Sequence, residues 1–304
     1  MVAACVRGLM FPMRWAVATL PRKSLFRSAC VPVLKAVSHR PELMASLSEV
    51  RPLDRRDISF EPTTSWVLED VYWFGVQGYE GILADIWADL CSRSKAVLEI
   101  GGNVGFYSVL GGKTARGAYS VVEPHPQIAA VLRSNLRRNG ITRVEVIEGA
   151  AIAEPTARTV SLNVPNEGRN APTGAFLDSN VENAEIVGRH TTRKIEVKGF
   201  PIQELLAGRD LVKIDAEGIE HSLLRAAMPT IVKSKPTIIV EVLPDSSNLA
   251  QLLSELATTA GYEIHVIPSY GSNEVITVRA ADFNAAVPAK YNSKDVMLTS
   301  SRKN

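Results

Sequence analysis

Four acidic residues stand at the ends of apolar runs in this chain: Glu99, Glu123, Asp215 and Glu241. Each run has the length and the residue types of a strand that is buried on both faces of a parallel sheet. The carboxyl ends of such strands meet at one edge of an open α/β sheet, and ligands bind at that edge. A neutral ligand gains little from four carboxylates, whereas a cationic ligand is stabilised by them. The acids therefore predict a binding edge for a positively charged small molecule.

The turn after the first of these strands further restricts the class of ligand that the site is expected to bind. Residues 97–108 read VLEIGGNVGFYS, a strand, a glycine turn and a helix start. Glycines in such a turn let the backbone approach a ligand at the helix N-terminus. A dinucleotide site needs the spacing G-x-G-x-x-G, which glycines at 101, 102 and 105 do not provide. Together with the acidic edge, the turn favours S-adenosylmethionine over NAD or ATP; the alternative is a purely structural corner.

Two further features point to the same edge. Glu123 follows Gly101 by 22 residues, about where an acid that binds a ribose diol is expected. Residues 211–224 read LVKIDAEGIEHSLL, a second strand, turn and helix. Side chains alternate along a strand, so Lys213 and Asp215 share one face. The lysine then needs a partner, which is Asp215 itself or Glu241 on the neighbouring strand.

These motifs together resemble those of FkbM-type methyltransferases, a family of S-adenosylmethionine-dependent O-methyltransferases with the class I, Rossmann-like fold. The resemblance covers about residues 78–265. The family hallmark K-I-D-x-E-G-x-E is intact at residues 213–220, and Tyr79-Glu80 resembles the Tyr-Glu pair that often opens the domain. The first motif, an acid followed by G-A-N-x-G-x-x-S, is matched with glutamate in place of aspartate and Gly102 in place of alanine. Those two departures predict a shifted position for the cofactor's amino-acid end.

The resemblance implies roles for individual residues. Asp215 is the first candidate for the base or the acceptor-orienting group, His221, four residues after Glu217, is the second, and Lys213 belongs to the same catalytic set. No metal ligand is predicted, although a divalent cation bridging Asp215 and Glu241 is a weaker alternative. Cofactor contacts are expected from Glu99, Gly101, Gly102, Asn103, Gly105, Glu123, Ala151 and Asp215.

The elements that position these residues alternate between strands and helices, which predicts an α/β fold with a largely parallel sheet and helices on both faces. Apolar periodicity predicts helices over 80–91 and near 128–136. The predicted strands are 96–100, 118–123, 143–147, 210–214, 237–242, 262–267 and 274–279, with strand-like pieces at 158–164 and 194–198.

We expect three regions: a basic, proline-interrupted helical arm over 1–64, the methyltransferase domain over 65–290, and a polar tail over 291–304. Within the domain, residues 154–196 are polar and too long for an ordinary connection, so they are interpreted as an insertion on the acceptor side or as a solvated loop. The insertion's candidate hydrogen-bonding residues are Asn166, Arg169, Asn170 and Thr173.

Charge excludes a global attraction to nucleic acid or membranes, because 34 Lys and Arg residues against 32 Asp and Glu residues give a net charge of only +2. The arm is different, since no acid precedes Glu42. Its prolines break every apolar run well before the roughly 20 residues of a membrane span. We expect helices that pack on the domain, with a basic surface for anionic lipid or a targeting segment as alternatives. Three scattered cysteines favour a reducing compartment, so we expect a cytoplasmic protein, peripheral to the membrane if the arm contacts lipid.

The resemblance implies methyl transfer to a hydroxyl of a sugar or glycan, a lipid-linked saccharide or a secondary metabolite, and the oligomeric state stays open. One alternative is a nucleic-acid methyltransferase, because four arginines surround one helix. Base methylation typically uses an N/D-P-P-Y loop, however, where this chain has Asp215-Ala216-Glu217-Gly218, so we expect no nucleic-acid partner. The four arginines are Arg133, Arg137, Arg138 and Arg143.

The second alternative is a non-catalytic, membrane-associated protein that binds the cofactor.

Overall fold

One large sheet runs through the centre of the protein. The structure, a computed structural model, describes residues 2–21, 24–38, 40–44, 47–165, 171, 174–177, 191–243, 245–269 and 274–300. The strands of the large sheet are β1 (Ala96–Ile100), β2 (Ala118–Glu123), β3 (Val144–Glu148), β8 (Leu211–Ile214), β9 (Thr237–Glu241), β10 (Tyr262–Ile267), β11 (Ile276–Val278) and β12 (Asp295–Ser300).

The order of these strands is β11-β10-β12-β9-β8-β1-β2-β3. Strands β3, β2, β1, β8 and β9 are parallel to one another, whereas β12 runs antiparallel to both β9 and β10. This confirms the predicted α/β class and its class I, Rossmann-like arrangement. The prediction of a polar tail over 291–304 is wrong for β12, because Val296 and Leu298 are fully buried in the sheet.

The large sheet is buried on both faces. Two hydrophobic cores lie against it, one on each face, and we call them the first and the second core. Val97 of β1 packs in the first core, and the next residue, Leu98, packs in the second. This is the reason for the continuous apolar runs, since a strand covered on both faces needs an apolar residue at every position.

The helices that follow the N-terminal arm are α4 (Trp66–Phe74), α5 (Leu83–Arg93), α6 (Phe106–Thr114), α7 (Pro126–Arg138), α8 (Ile202–Leu206), α9 (Glu220–Ser234), α10 (Ser247–Ala260) and α11 (Val287–Lys290).

A second, smaller sheet is formed by strands within and beside the predicted insertion of 154–196. Its order is β4-β7-β5-β6, and the apolar side chains Leu162 and Leu177 are buried in the second core. The candidate residues Asn166, Arg169, Asn170 and Thr173 lie outside the described residues. The strands of this sheet are β4 (Ala150–Ile152), β5 (Thr159–Pro165), β6 (Phe176–Leu177) and β7 (Thr191–Pro201).

The N-terminal arm forms α1 (Val2–Thr19), α2 (Leu25–Ser38) and α3 (Pro41–Met44), which pack onto the first core. Arg14 fastens the arm to α4, because its guanidinium lies 3.6 Å from the centre of the Tyr72 ring and its Nε donates to the Tyr72 carbonyl. None of the helices in the described ranges is both long and apolar enough to span a bilayer. The arm is therefore built as helices packed on the domain.

Candidate active site

Three of the four acidic residues predicted at the sheet edge stand in one row. Ile100 is in register with Ile214 on β8 and with Val122 on β2, and Ile214 is in register with Val240 on β9. The residues that follow each of these positions therefore stand side by side. From β2 to β9, the row is Glu123, Gly101, Asp215 and Glu241.

Gly101 is the one member of this row without a side chain, and the backbone requires it. Its φ of +86° lies in the left-handed region, and a Cβ there would stand 1.8 Å from the carbonyl oxygen of Asp215. At Gly102, a Cβ would stand 2.4 Å from the Val121 side chain and 2.6 Å from the Leu132 side chain. Core packing thus accounts for glycine in place of the family's alanine.

The glycine turn borders a cavity of about 400 Å³ at the row of acids. One wall contains Gly101, Gly102, Asn103 and Glu123, with Ala151 beside them. The adjoining wall contains the carboxylates of Asp215, Glu217 and Glu241 together with Lys294, and the rest of the lining is mainly aromatic and aliphatic, including Trp66, Tyr79, Phe106, Leu162 and Leu177.

Glu123 is held in place by backbone donors. One of its carboxylate oxygens accepts the Asn103 N–H at 2.8 Å, and the other accepts the His125 N–H at 2.9 Å. Burial raises the pKa of Glu123 to about 7, against the opposing effect of these hydrogen bonds. A carboxylate has about four acceptor sites, so Glu123 retains capacity for hydroxyl groups in the cavity.

Glu99 has a different place from the one predicted. Its carboxylate is buried beneath the turn, where it accepts hydrogen bonds from the hydroxyls of Ser108 at 2.8 Å and Tyr119 at 2.5 Å. It does not line the cavity. Glu99 therefore supports the turn from inside, and the expected contact between Glu99 and the cofactor stays a prediction. Gly105 is likewise outside the lining, and its positive φ of 85° begins α6.

Lys213 and Asp215 form the expected ion pair. The Lys213 Nζ lies 2.9 Å from the Asp215 Oδ2, and the two side chains are 2% and 19% exposed. The same Nζ lies 4.7 Å from the centre of the Tyr107 ring. Burial favours the neutral acid, but Lys213 outweighs it and lowers the pKa of Asp215. Lys213 lies behind Asp215, outside the cavity lining, and acts on the cavity only through its partner.

Sequence reasoning missed a second lysine at the site. The Lys294 Nζ lies 2.5 Å from the Glu241 Oε1 and 3.0 Å from the Glu80 Oε1. The Glu80 Oε2 accepts the Tyr107 hydroxyl at 2.6 Å. The Tyr-Glu pair at 79–80 was a signal for Glu80, whereas Lys294 directly precedes the unpredicted strand β12 and gave none. Glu241 thus pairs with Lys294 rather than with Lys213.

The turn after β8 adds one acid to the cavity and leaves one candidate outside it. Burial, and after it the charges of Asp215 and Glu241, raise the pKa of Glu217, which lines the cavity, to about 8. His221 is half-buried on α9 and does not line the cavity. The prediction that His221 is catalytic therefore gains no support from the geometry.

The sequence also raised two alternatives for the site, nucleic-acid methylation and a bound divalent cation. Arg133 pairs with Glu148 at 2.7 Å, and Arg143 donates to the Ala115 carbonyl at 2.9 Å, so these arginines have local partners away from the cavity. In the described part of the chain, no group of three or more His, Cys, Asp or Glu side chains is placed to hold a metal ion.

The sheet order, the glycine turn and the acidic cavity at the carboxyl ends of the strands together define a class I, Rossmann-like methyltransferase architecture. The model of the methyltransferase FkbM domain family matches residues 99–264, and the chain belongs to this family. No curated protein matches the chain.

Solved structures show similarity over most of the chain, at low identity and low structural overlap. Cofactor-bound Rv0187 from MTB is 18% identical, with 73% of this chain and 80% of that chain covered and a TM-score of 0.39. The O-methyltransferase from Bacillus cereus in complex with SAH is 14% identical, with 72% and 80% covered and a TM-score of 0.38. TomG from Streptomyces achromogenes, in complex with SAM, is 13% identical, with 72% and 79% covered and a TM-score of 0.39.

Proposed function

We propose that this FkbM-family protein is an S-adenosylmethionine-dependent O-methyltransferase. The observation that carries the proposal is a single cavity with a glycine turn and a buried glutamate on one wall and three carboxylates on the other. Its volume of about 400 Å³ lies within the usual range for small-molecule sites. When bound, the cofactor supplies an electrophilic methyl group on a sulfonium ion.

The residues of the first wall fit this cofactor. Glu123 has acceptor capacity for a ribose diol, and Ala151 leaves room for a flat adenine ring. The Gly101-Gly102 backbone lies open to the cavity for the amino-acid end.

The residues of the second wall position the acceptor. Asp215 is held ionised by Lys213, and an ionised carboxylate accepts a hydrogen bond from a hydroxyl and fixes its direction. Positioning of this kind supplies much of the acceleration in a displacement reaction. The acceptor we propose is a hydroxyl of a sugar, a lipid-linked saccharide or a secondary metabolite. Leu162 and Leu177 of the insertion border this side of the cavity, which supports its assignment to the acceptor.

Calorimetry with S-adenosylmethionine tests the cofactor assignment. We expect binding by the parent and about 10-fold or weaker affinity for Glu123→Gln, because a hydrogen bond to a charged group contributes about 1.5–3 kcal/mol. Glu148→Gln is the matched control, since Glu148 pairs with Arg133 outside the cavity and should leave affinity unchanged. No binding by the parent, or equal affinity in Glu123→Gln, contradicts the assignment.

Mass spectrometry of surface glycans and lipids tests the acceptor class. Cells that lack the gene should lose one methyl increment on a hydroxyl, and restoring the parent gene should return it. Asp215→Asn should retain cofactor affinity and fail to return it. A missing methyl group found on nucleic acid instead would refute the acceptor we propose.

We also propose that the arm holds the enzyme at an anionic membrane surface. Large apolar side chains project to solvent from α1 and α2, including Leu9, Phe11, Trp15, Leu25 and Phe26. These residues lie within the first 41, a segment with seven Lys or Arg residues and no acid. Apolar groups flanked by cations fit anionic lipid, because the acyl boundary takes the apolar groups and the headgroups attract the cations.

Vesicle flotation tests the membrane proposal. The parent should float with vesicles that contain phosphatidylglycerol and remain unbound with pure phosphatidylcholine. Trp15→Ser combined with Phe26→Ser should lower binding at least 10-fold, whereas Val232→Ser, an exposed apolar residue on α9, should not. Equal binding to both vesicles contradicts the proposal, and a concentration-dependent dimer that the paired substitution abolishes would assign this face to a second copy of the chain.

A further inference from the structure

Glu241 lies where three strands bring charged groups together at the cavity. It ends β9, beside Asp215 after β8 and in register with Asp295 of the antiparallel strand β12. Its side chain is only 7% exposed, and it lines the cavity. It is thus one of the few groups that are both fixed by the sheet and open to an acceptor.

Lys294 holds Glu241 through one oxygen. Its Nζ lies 2.5 Å from the Oε1 of Glu241 and 3.0 Å from Glu80, which is 4% exposed and is itself fixed by the Tyr107 hydroxyl. Across the described ranges, the Glu241 Oε2 accepts no hydrogen bond. One oxygen of the carboxylate is therefore anchored, and the other is available to a ligand.

The three carboxylates of this wall differ in how well they accept a proton. Asp215 is a weak base, because Lys213 lowers its pKa. Burial raises the pKa of Glu217 to about 8, so most of it already carries a proton at neutral pH. Burial and the charge of Asp215 raise the pKa of Glu241 to about 7, against the lowering effect of Lys294. A base whose pKa is near the working pH combines availability with strength.

We propose that Glu241 is the general base of the methyl transfer and that Lys294 is the residue that positions it. This inference rests on the proposed function. The acceptor oxygen forms a bond to the methyl carbon, the carbon–sulfur bond breaks with its electron pair left on sulfur, and the acceptor O–H bond releases a proton. The Oε2 of Glu241 takes that proton, while the bond to Lys294 keeps the carboxylate aimed into the cavity. Asp215 orients the acceptor and does not take the proton.

Several charged groups face Glu241, so its titration is read against matched variants. The residues are Asp215 after β8, Glu217 and Glu220 at the start of α9, Lys294 and Asp295 at β12, and Glu80 and Tyr79 before α5.

Infrared difference titration of the cofactor-free protein tests the pair without any turnover. Glu99 and Glu123 titrate in the same range, so the Glu241 band is identified as the part of the carboxyl signal that Glu241→Gln removes. We expect this band to titrate near pH 7 in the parent and to move to higher pH in Lys294→Met. Glu255→Gln and Lys290→Met are the controls, since both residues are exposed and neither lines the cavity. A titration that Lys294→Met leaves in place contradicts the positioning role.

Kinetics separates the base from its support. Glu241→Gln keeps the size of the side chain and should keep cofactor affinity within about 3-fold, while kcat falls by about 10²- to 10⁴-fold. Lys294→Met should shift the acid limb of the kcat profile to higher pH, and Lys294→Arg should return it. A melting curve for each variant shows whether it is folded. If Glu241→Gln is unfolded, the infrared titration shift in Lys294→Met decides the inference.

Two failures are distinguishable. A parent that neither binds S-adenosylmethionine nor methylates any hydroxyl acceptor contradicts the proposed function. A parent that is active, with a kcat that Glu241→Gln leaves within about 3-fold and an unshifted profile in Lys294→Met, contradicts only the assignment of Glu241 and Lys294.

Discussion

Replacement of Lys213 by methionine is the sharpest probe of how the site is held. Methionine matches the length of the lysine stem but leaves the Asp215 carboxylate without the cation 2.9 Å away. Removal of one partner from a fully buried pair costs about 3–5 kcal/mol of unfolding free energy. Asp215 is 19% exposed and retains some hydration, so we expect a loss near the lower end, about 3 kcal/mol.

A second substitution tests whether the loss comes from the stranded charge. Lys213→Met combined with Asp215→Asn removes both charges, and replacement of a whole buried pair is often neutral. We expect this double variant to recover about 2 kcal/mol of the loss. Recovery should be incomplete because Lys213 also faces the charges of Glu80 and Asp295.

Urea unfolding followed by tryptophan fluorescence measures these free energies. Exposed Lys290→Met is the matched control and should stay within about 0.5 kcal/mol of the parent. The pKa of Asp215 is lowered in the folded state, so the pair stabilises the fold above the ordinary aspartate pKa of 3.8 and ceases to do so as pH falls through the lowered value. A Lys213→Met variant within about 1 kcal/mol of the parent, or a double variant less stable than Lys213→Met, would refute the reasoning.

Three other perturbations have expected outcomes. Gly101→Ala should lower the unfolding free energy by more than about 2 kcal/mol in the same urea assay, because its Cβ would collide with the Asp215 carbonyl; an unchanged midpoint would contradict the geometry. His221→Gln should keep kcat within about 2-fold of the parent, since the side chain lies outside the cavity, and a 100-fold loss would restore His221 as a candidate. Burial raises the pKa of Glu99, Glu123 and Glu241 to about 7 and that of Glu217 to about 8, so the folded state keeps protons that the unfolded chain releases. The melting temperature of the cofactor-free protein should therefore fall as pH rises from about 4.5 to about 8, and a rise over that range would contradict these shifts.

The parallel strands of the large sheet were predictable because each of them has a recognisable local sequence pattern. An apolar run ends in an acid or a glycine, and β1 and β2 have the predicted bounds. The pair of Lys213 and Asp215 followed from the two-residue period of a strand. Both inferences use residues that are neighbours in sequence, where backbone geometry fixes the spatial relation.

The rest of the site depends on contacts between distant segments. Lys294 meets Glu241 across 53 positions of the chain, and no local pattern records such a pairing. The strand β12 was missed because its apolar stretch is short and has polar residues on both sides, so composition alone favours a tail. Its burial comes from insertion between β9 and β10, which only the assembled sheet determines.

Strand parity explains both the place of Glu99 and the composition of the site. Residues two apart share a face, so Glu99 lies on the face of Val97, which packs in the first core beneath α5 and α6. By the same alternation, Glu123 lies on the face of Val121, Asp215 on the face of Leu211 and Glu241 on the face of Ile239. These three apolar residues belong to the first core. Charged groups at the strand ends therefore turn toward the face that α4, α5 and α6 cover rather than toward α9 and α10. Residues before β1 and after β10 consequently complete the cavity, with Trp66, Tyr79 and Lys294 in its lining. These three residues lie outside the matched range of 99–264, so this part of the cavity lining is not formed by residues that match the family model.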